Sequence, residues 1–318
     1  MYTNGFGYIK RMFDHKGNGR TQIIDISNPT NPTLKGNYDT PIYAIDVQVV
    51  GNYAYVADSY SGLQIIDISN PTTPTLKGYY DTFSDAKDVQ VVGSYAYVAD
   101  SGAGLQIIDI SNPTNPTFKG NDDTPIYAID VQVVGNYAYL VGLYSGIEII
   151  DISNPTTPTL KGSYGASHPW HVQVVGNYAY VADAYSGLQI IDISNPTTPI
   201  LKGNYNTSGF ANGVQVVGNY AYVADYESGL QIIDISNPTN PTLKGNYDTP
   251  SDANGVQVVG NYAYVADAYS GLQIIDISNP TNPTLKGNYN TSGIAYGVQV
   301  VGNYAYVADY ESGLQIID

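Results

Sequence analysis

Ser167-His168-Pro169-Trp170-His171 places the single tryptophan and two of the three histidines of a 318-residue chain within five positions. Imidazole nitrogens ligate transition metals, and indole and imidazole rings stack on sugars and peptides. The segment is therefore a candidate polar-aromatic pocket, with His168 and His171 as donors and Trp170 as a stacking plate. Two histidines do not complete a metal shell, so no metal is assigned. Carboxylates recur as well. Asp58, Asp100, Asp183, Asp225, Asp267 and Asp309 each end a YAYVA run, mostly ahead of an xxSG tip, and Gly142 replaces the acid in one copy. A ring of such acids is a candidate for Ca2+. The plainer reading is an aspartate accepting turn N–H groups. No Ser-His-Asp set, nucleophile elbow or glycine-rich phosphate loop is visible, and no cofactor is expected.

The elements that must position these residues follow from a repeat. The IID triplets end at Asp25, Asp67, Asp109, Asp151, Asp192, Asp234, Asp276 and Asp318, at intervals of 42, 42, 42, 41, 42, 42 and 42. A period in this range means a solenoid or a propeller blade. Within each unit VQVV and YAYVAD are β-favouring runs hinged at Gly-Asn, LQIID is a third run, and TLKGNY follows a proline-locked SNPTNP loop. These are strands a, b, c and d of an antiparallel blade with no helix, the signature of an all-β propeller. Tyr53 and Tyr55 project to one side of strand b, Ala54 and Val56 to the other. Large residues of one blade thus meet small ones of the next.

Strand counts set the closure. There are seven a, b and d strands but eight c strands, because the chain starts and stops around strand c. Val298–Asp309 and Thr33–Tyr38 combine into a seventh blade with c supplied by either end. The expectation is a seven-bladed β-propeller over 21–318 after an irregular segment 1–20, in which Gly5–Met12 reads as a decayed strand b. The alternative is an eight-bladed ring with incomplete terminal blades. LQIIDISNPTNPTLKG, preceded by VxVxGxYAYVAD, resembles the LVIVD repeat family of bacterial and archaeal cell-surface proteins. The resemblance implies a propeller, a surface or secreted location and a binding or adhesion role, without a defined active site.

The copies differ in the d-to-a connections and the b-to-c tips, which emerge on one face, the top. Candidate ligand-binding residues there are His168, Trp170, His171, Tyr43, Asp85, Tyr127, Phe210 and Asp252. Eighteen acids against one base, Lys87, fall in these connections, so the top reads as an acidic pole. On the bottom, seven strand-d lysines face the IID aspartates. Zero cysteine excludes disulfides and thiol chemistry, and a net charge of −16 disfavours nucleic acid and anionic lipid. No apolar run is long enough for a membrane-spanning helix, and no signal peptide is visible. The sequence reading is a monomeric, non-enzymatic surface scaffold that binds a protein or glycan through its top. One alternative is a hydrolase or lyase using Asp46, Asp88, Asp130, His168 and His171 at the channel mouth. Another is a piece of a longer repeat array.

Overall fold

The computed structural model describes residues 20–122, 126–291, 293–309 and 313–317. Gly5–Met12 and the tip residues Tyr310 and Glu311 lie outside them. Six blades are four-stranded antiparallel sheets built in chain order, spanning 46–80, 88–122, 128–164, 169–205, 213–247 and 253–289. Blade seven joins Ala295–Val301 and Tyr304–Asp309 to Thr33–Asp39 from the other end of the chain. The fold is a seven-bladed β-propeller, and strand a of each blade contacts strand a of the next around the channel.

The a–b turn explains its glycine. Gly51 has φ +61° and Asn52 is not among the positive-φ residues, the pattern of a II′ turn, which needs glycine at the first central position. Strands c and d meet through a bulge at the lysine. In blade five Ile232 faces Gly245 and Ile233 faces Leu243, leaving Lys244 as the extra residue. The lysines then reach the IID aspartates, as in Lys161–Asp151 at 2.9 Å and Lys77–Asp67 at 3.4 Å. Lys77, Lys119, Lys244 and Lys286 also lie over a strand-b tyrosine, Lys286 over Tyr262.

The core lies between blades. Tyr55, Ala57, Leu63 and Ile65 of blade one pack on Ala96, Val98 and Ile108 of blade two, while Ala54 and Val56 join a cluster containing Tyr306 of blade seven. The large-against-small expectation for strand b therefore holds. A second set of contacts closes the ring. The strand-a glutamine of each blade accepts the backbone N–H of a strand-a valine in the next, from Gln48 and Val91 through Gln257 and Val300, and Gln299 returns to Val49.

Burial corrects the acidic pole. Asp58, Asp100, Asp183, Asp225, Asp267 and Asp309 are fully buried, Asp85 and Asp122 nearly so, and Asp46, Asp88 and Asp130 face the channel. Among the described top acids only Asp39, Asp81, Glu227 and Asp248 are exposed. Much of the acidity counted in the sequence is inside the fold.

Candidate functional site

Each strand-b aspartate holds down the connection that enters its own blade. Asp58 accepts the Ile42 N–H, Asp100 the Ser84 N–H and the Thr82 hydroxyl, Asp225 the Gly209 N–H at 2.9 Å and the Thr207 hydroxyl at 2.5 Å. Burial raises these carboxyls, Asp58 to about 7. In blade three, where Gly142 replaces the acid, the Ile126 side chain covers the glycine. The aspartates are thus loop anchors, each accepting an N–H of the connection that enters its own blade. Among the described residues no three His, Asp or Glu side chains are grouped as a metal site requires.

The channel mouth is ringed by the residue that precedes VQVV in each blade: Asp46, Asp88, Asp130, His171, Gly213, Gly255 and Gly297. Asp88 accepts the Val131 N–H at 2.8 Å and Asp130 the Val172 N–H at 2.7 Å, each reaching into the next blade as the glutamines do. His171 Nε2 lies 3.9 Å from Asp130 Oδ1. These groups touch channel solvent yet are surrounded by protein. Burial and the charge of Asp130 raise Asp88 to about 8, burial raises Asp130 to about 7, and burial lowers His171 to about 4. Asp46 is also raised well above the usual carboxylate range, by burial and then by Asp88. Burial and mutual repulsion thus favour the neutral form of these carboxyls, and burial the uncharged form of the imidazole beside them. The opposite arc of glycines carries no side chains.

A second place lies on the outer top, and Pro169 helps to create it. Among the described residues four tips bridge to the next blade, at Ser59–Ala86, Ser101–Ala128, Tyr226–Ala253 and Ala268–Ala295; Ser101 and Ala128 donate to each other's carbonyls at 3.1 and 3.0 Å, as do Tyr226 and Ala253, and the four tip residues have positive φ. Pro169 stands where the other blades have alanine and has no N–H to donate. Leu143 donates instead to Tyr127 O in its own blade; the tip of blade four adopts the same form, Ala184 donating to His168 O, although blade five has Ala211 at the corresponding position. His168 is held by its N–H on Asp183 at 3.0 Å, and its ring lies 5.8 Å from Tyr144 and 4.5 Å from Tyr185, both edge-on. The row continues from Tyr185 to Phe210 at 5.5 Å and from Phe210 to Tyr226 at 6.1 Å. Tyr144 and Tyr185 are 64% and 59% exposed and Phe210 41%, so five rings from three blades form one open aromatic strip. Beyond Tyr226 the tip of blade five borders a polar cleft of about 300 Å³ lined by Ser208, Glu227, Ser228, Gln231, Leu243, Asn246 and Asp248.

The structure divides the residues expected from sequence. His168 and Phe210 belong to the aromatic strip and His171 to the channel mouth, so the two imidazoles do not face one centre. Trp170 is half-buried in the bulge between Pro169 and His171. Tyr43 is buried, and Asp85 is buried against Lys87 at 2.6 Å and the Ser59 hydroxyl at 2.8 Å. Tyr127 is half-buried where the chain enters blade three, the blade of Tyr144, and Asp252 is half-buried at the entry to blade six. Sequence reasoning missed Tyr144, Tyr185 and Tyr226. Their signal was present in the tips LYSG, AYSG and YESG, but tyrosine is so common in this chain that it reads as core.

The LVIVD repeat model matches residues 17–40, 43–82, 84–124, 127–166, 167–207, 208–249, 250–291 and 292–318. No curated protein matches the chain. Among solved structures it is similar to the computationally designed protein Ika8 (11% identity, 96% of this chain and 97% of that one, TM-score 0.68). It is also similar to the β-propeller domain of Cps50 (Swd1) from Myceliophteria thermophila (12%, 87% and 96%, TM-score 0.72). A functionally unknown protein from Desulfotomaculum acetoxidans aligns at 15% identity over 95% and 98%, with a TM-score of 0.69. At these identities the likeness concerns the fold alone.

Proposed function

The chain belongs to the LVIVD repeat family, and we propose that it is a non-enzymatic propeller scaffold that binds a protein or glycan ligand on its top face, at the cell surface or outside the cell. The observation that carries this reading is the open strip Tyr144, His168, Tyr185, Phe210 and Tyr226. Exposed rings in a continuous row lose little rotamer freedom on binding and offer faces to apolar sugar or side-chain surfaces. The adjoining cleft supplies hydroxyl, amide and carboxylate groups and no base, which suits a neutral glycan better than an anionic one. The strip lies within one ring and needs no second copy to complete it, which is compatible with a monomeric scaffold, and a net charge of −16 turns it away from nucleic acid.

The channel mouth is assigned to ring closure. Asp88 and Asp130 each spend an oxygen on the next blade's N–H, and His168 points its ring elsewhere, so the five groups of the hydrolase or lyase reading do not meet.

Trp170, the only tryptophan, sits two residues from His168 in the strand that enters blade four and serves as the optical probe, with calorimetry alongside it. Its fluorescence is followed while neutral oligosaccharides, a basic peptide, Ca2+ and Zn2+ are added. A saturable response to sugar that Tyr185→Ala and Phe210→Ala abolish at unchanged melting temperature supports the reading. A response to the peptide alone assigns the strip to a protein partner, and silence toward both overturns it as a ligand site.

A further inference from the structure

The third position of blade seven has two claimants. Arg20–Asp25 pairs antiparallel with Tyr304–Asp309, matching Ile24 with Ala305, Ile23 with Tyr306 and Thr21 with Ala308. Gly313–Ile317 pairs with the same strand in the same way, matching Ile317 with Ala305, Ile316 with Tyr306 and Leu314 with Ala308. Both also pair with Thr33–Asp39, the outer strand. Neither is a misfit. In blade six the corresponding pairs are Ala263 with Ile275, Tyr264 with Ile274, Ile274 with Gly287 and Asp276 with Thr284. The N-terminal strand reproduces this pattern in Ala305 with Ile24 and Asp25 with Thr33, the C-terminal strand in Ala305 with Ile317 and Ile316 with Gly36. One position, two strands of the sequence QII and one register require that only one strand be seated at a time.

We propose that this position is a strand-binding site whose ligand is an extended xQIID segment, and that Arg20–Asp25 and Gly313–Ile317 exchange in it within one molecule. The exchange does not open the ring. The Gln299 contact to Val49 joins blade seven to blade one through strand a, and Thr33–Asp39 stays paired to whichever strand is seated. The N-terminal strand is the principal occupant. Seating it adds the Ile26 N–H to Asn303 O bond at 2.6 Å and the Lys35–Asp25 pair at 3.6 Å, and it brings the Pro29 loop against Gly287 of blade six. The C-terminal strand competes because it follows its hairpin partner after a three-residue tip, so its closure costs little chain entropy.

The chain has no cysteine, so a pair of introduced thiols reports one register unambiguously. Thr21→Cys with Ala308→Cys traps the N-terminal strand, and Leu314→Cys with Ala308→Cys traps the C-terminal one, each in the full chain under mild oxidant or a short bis-thiol linker. Both pairs are expected to cross-link within one molecule, the first in higher yield. Ile24→Lys, which puts a charge at a fully buried position, should invert the ratio at least several-fold while the protein stays folded. Ile317→Lys should drive the first pair to completion. A C-terminal pair that never closes, in the parent or in Ile24→Lys, overturns the proposal, and so does an N-terminal pair that never closes. The unmutated background carries the test even where Ile24→Lys fails to fold.

Discussion

At the residue scale, one aspartate per blade illustrates how the same side chain changes meaning between text and structure. DxxSG looks like a turn device, yet Asp225 reaches back sixteen residues to Gly209 and eighteen to Thr207. Nothing in the spacing shows that reach, because it depends on the d-to-a connection folding over the end of strand b. Truncating Asp225 to alanine leaves a buried N–H and hydroxyl without their acceptor, each worth about 1–3 kcal/mol. Asp225→Ala should therefore destabilise by roughly 2–4 kcal/mol in chemical denaturation, and Asp225→Asn, which keeps one acceptor oxygen, by clearly less. Equal losses for the two variants would mean that the acceptor is not what matters. Gly142 completes the case from the other side: the copy that lost its acid keeps Ile126 over the vacated space, an exchange of a polar anchor for an apolar one. The aromatic strip was less legible than the anchors. Tyr55 and Tyr185 are the same residue type, but one is 5% and the other 59% exposed; only the position on strand or tip separates them.

At the element scale the period was fully legible, since four β-favouring runs, a Gly-Asn hinge and a proline loop recur with the blade. The bulge in strand d was not. TLKGNY reads as a plain strand, and only the pairing shows that Lys244 is extra and that Gly245 thereby comes against the carbonyl of Pro280 in the next blade's c–d loop. A Cβ at Gly245 would meet that carbonyl at a distance no real pair of atoms adopts. Gly245→Ala should push blades five and six apart at their outer edge and lower stability by about 1–3 kcal/mol, the usual cost of overpacking. Ser236→Ala, at an exposed position of the preceding loop, should change melting far less. If Gly245→Ala melts with the parent, the close approach is not a packing constraint. At the tips, Pro169 removes the donor that Ala86, Ala128, Ala253 and Ala295 supply to the preceding tip, and no bridge forms there; the tip of blade four makes none either, although blade five keeps Ala211.

At the scale of the whole molecule, closure and charge are collective properties. Removing Arg20–Asp39 takes away the outer strand of blade seven together with one claimant for its third position, leaving that position as an unprotected edge of an incomplete blade. That deletion should lower the melting temperature far more than removal of Arg20–Asp25 alone, because Gly313–Ile317 can replace only the latter; equal melting of the longer deletion and the parent would sink the closed ring. Charge acts through buried aspartates. Asp58 and Asp130 are raised to about 7 and Asp88 to about 8, against about 3.9 in an unfolded chain. Between those values the folded state holds protons that the unfolded state has lost, so this contribution is complete below about pH 4 and disappears as pH rises through 7 to 8. Two other sets act at lower pH. His171, lowered to about 4, favours folding increasingly as pH rises toward 6.5, where the gain ends. The IID aspartates, Asp151 at about 2, stabilise above pH 4 and lose that effect on strong acidification. Above pH 6.5 only the buried carboxyls titrate among these groups, so thermal stability should fall between pH 6.5 and 8.5. Asp88→Asn, which stays neutral at both ends, should flatten that fall, since it also removes the charge that Asp46 and Asp130 would face on ionising. A parent protein whose melting temperature is level across the window, or an Asp88→Asn variant that falls as steeply, would show that the channel-mouth carboxyls are already ionised at neutral pH.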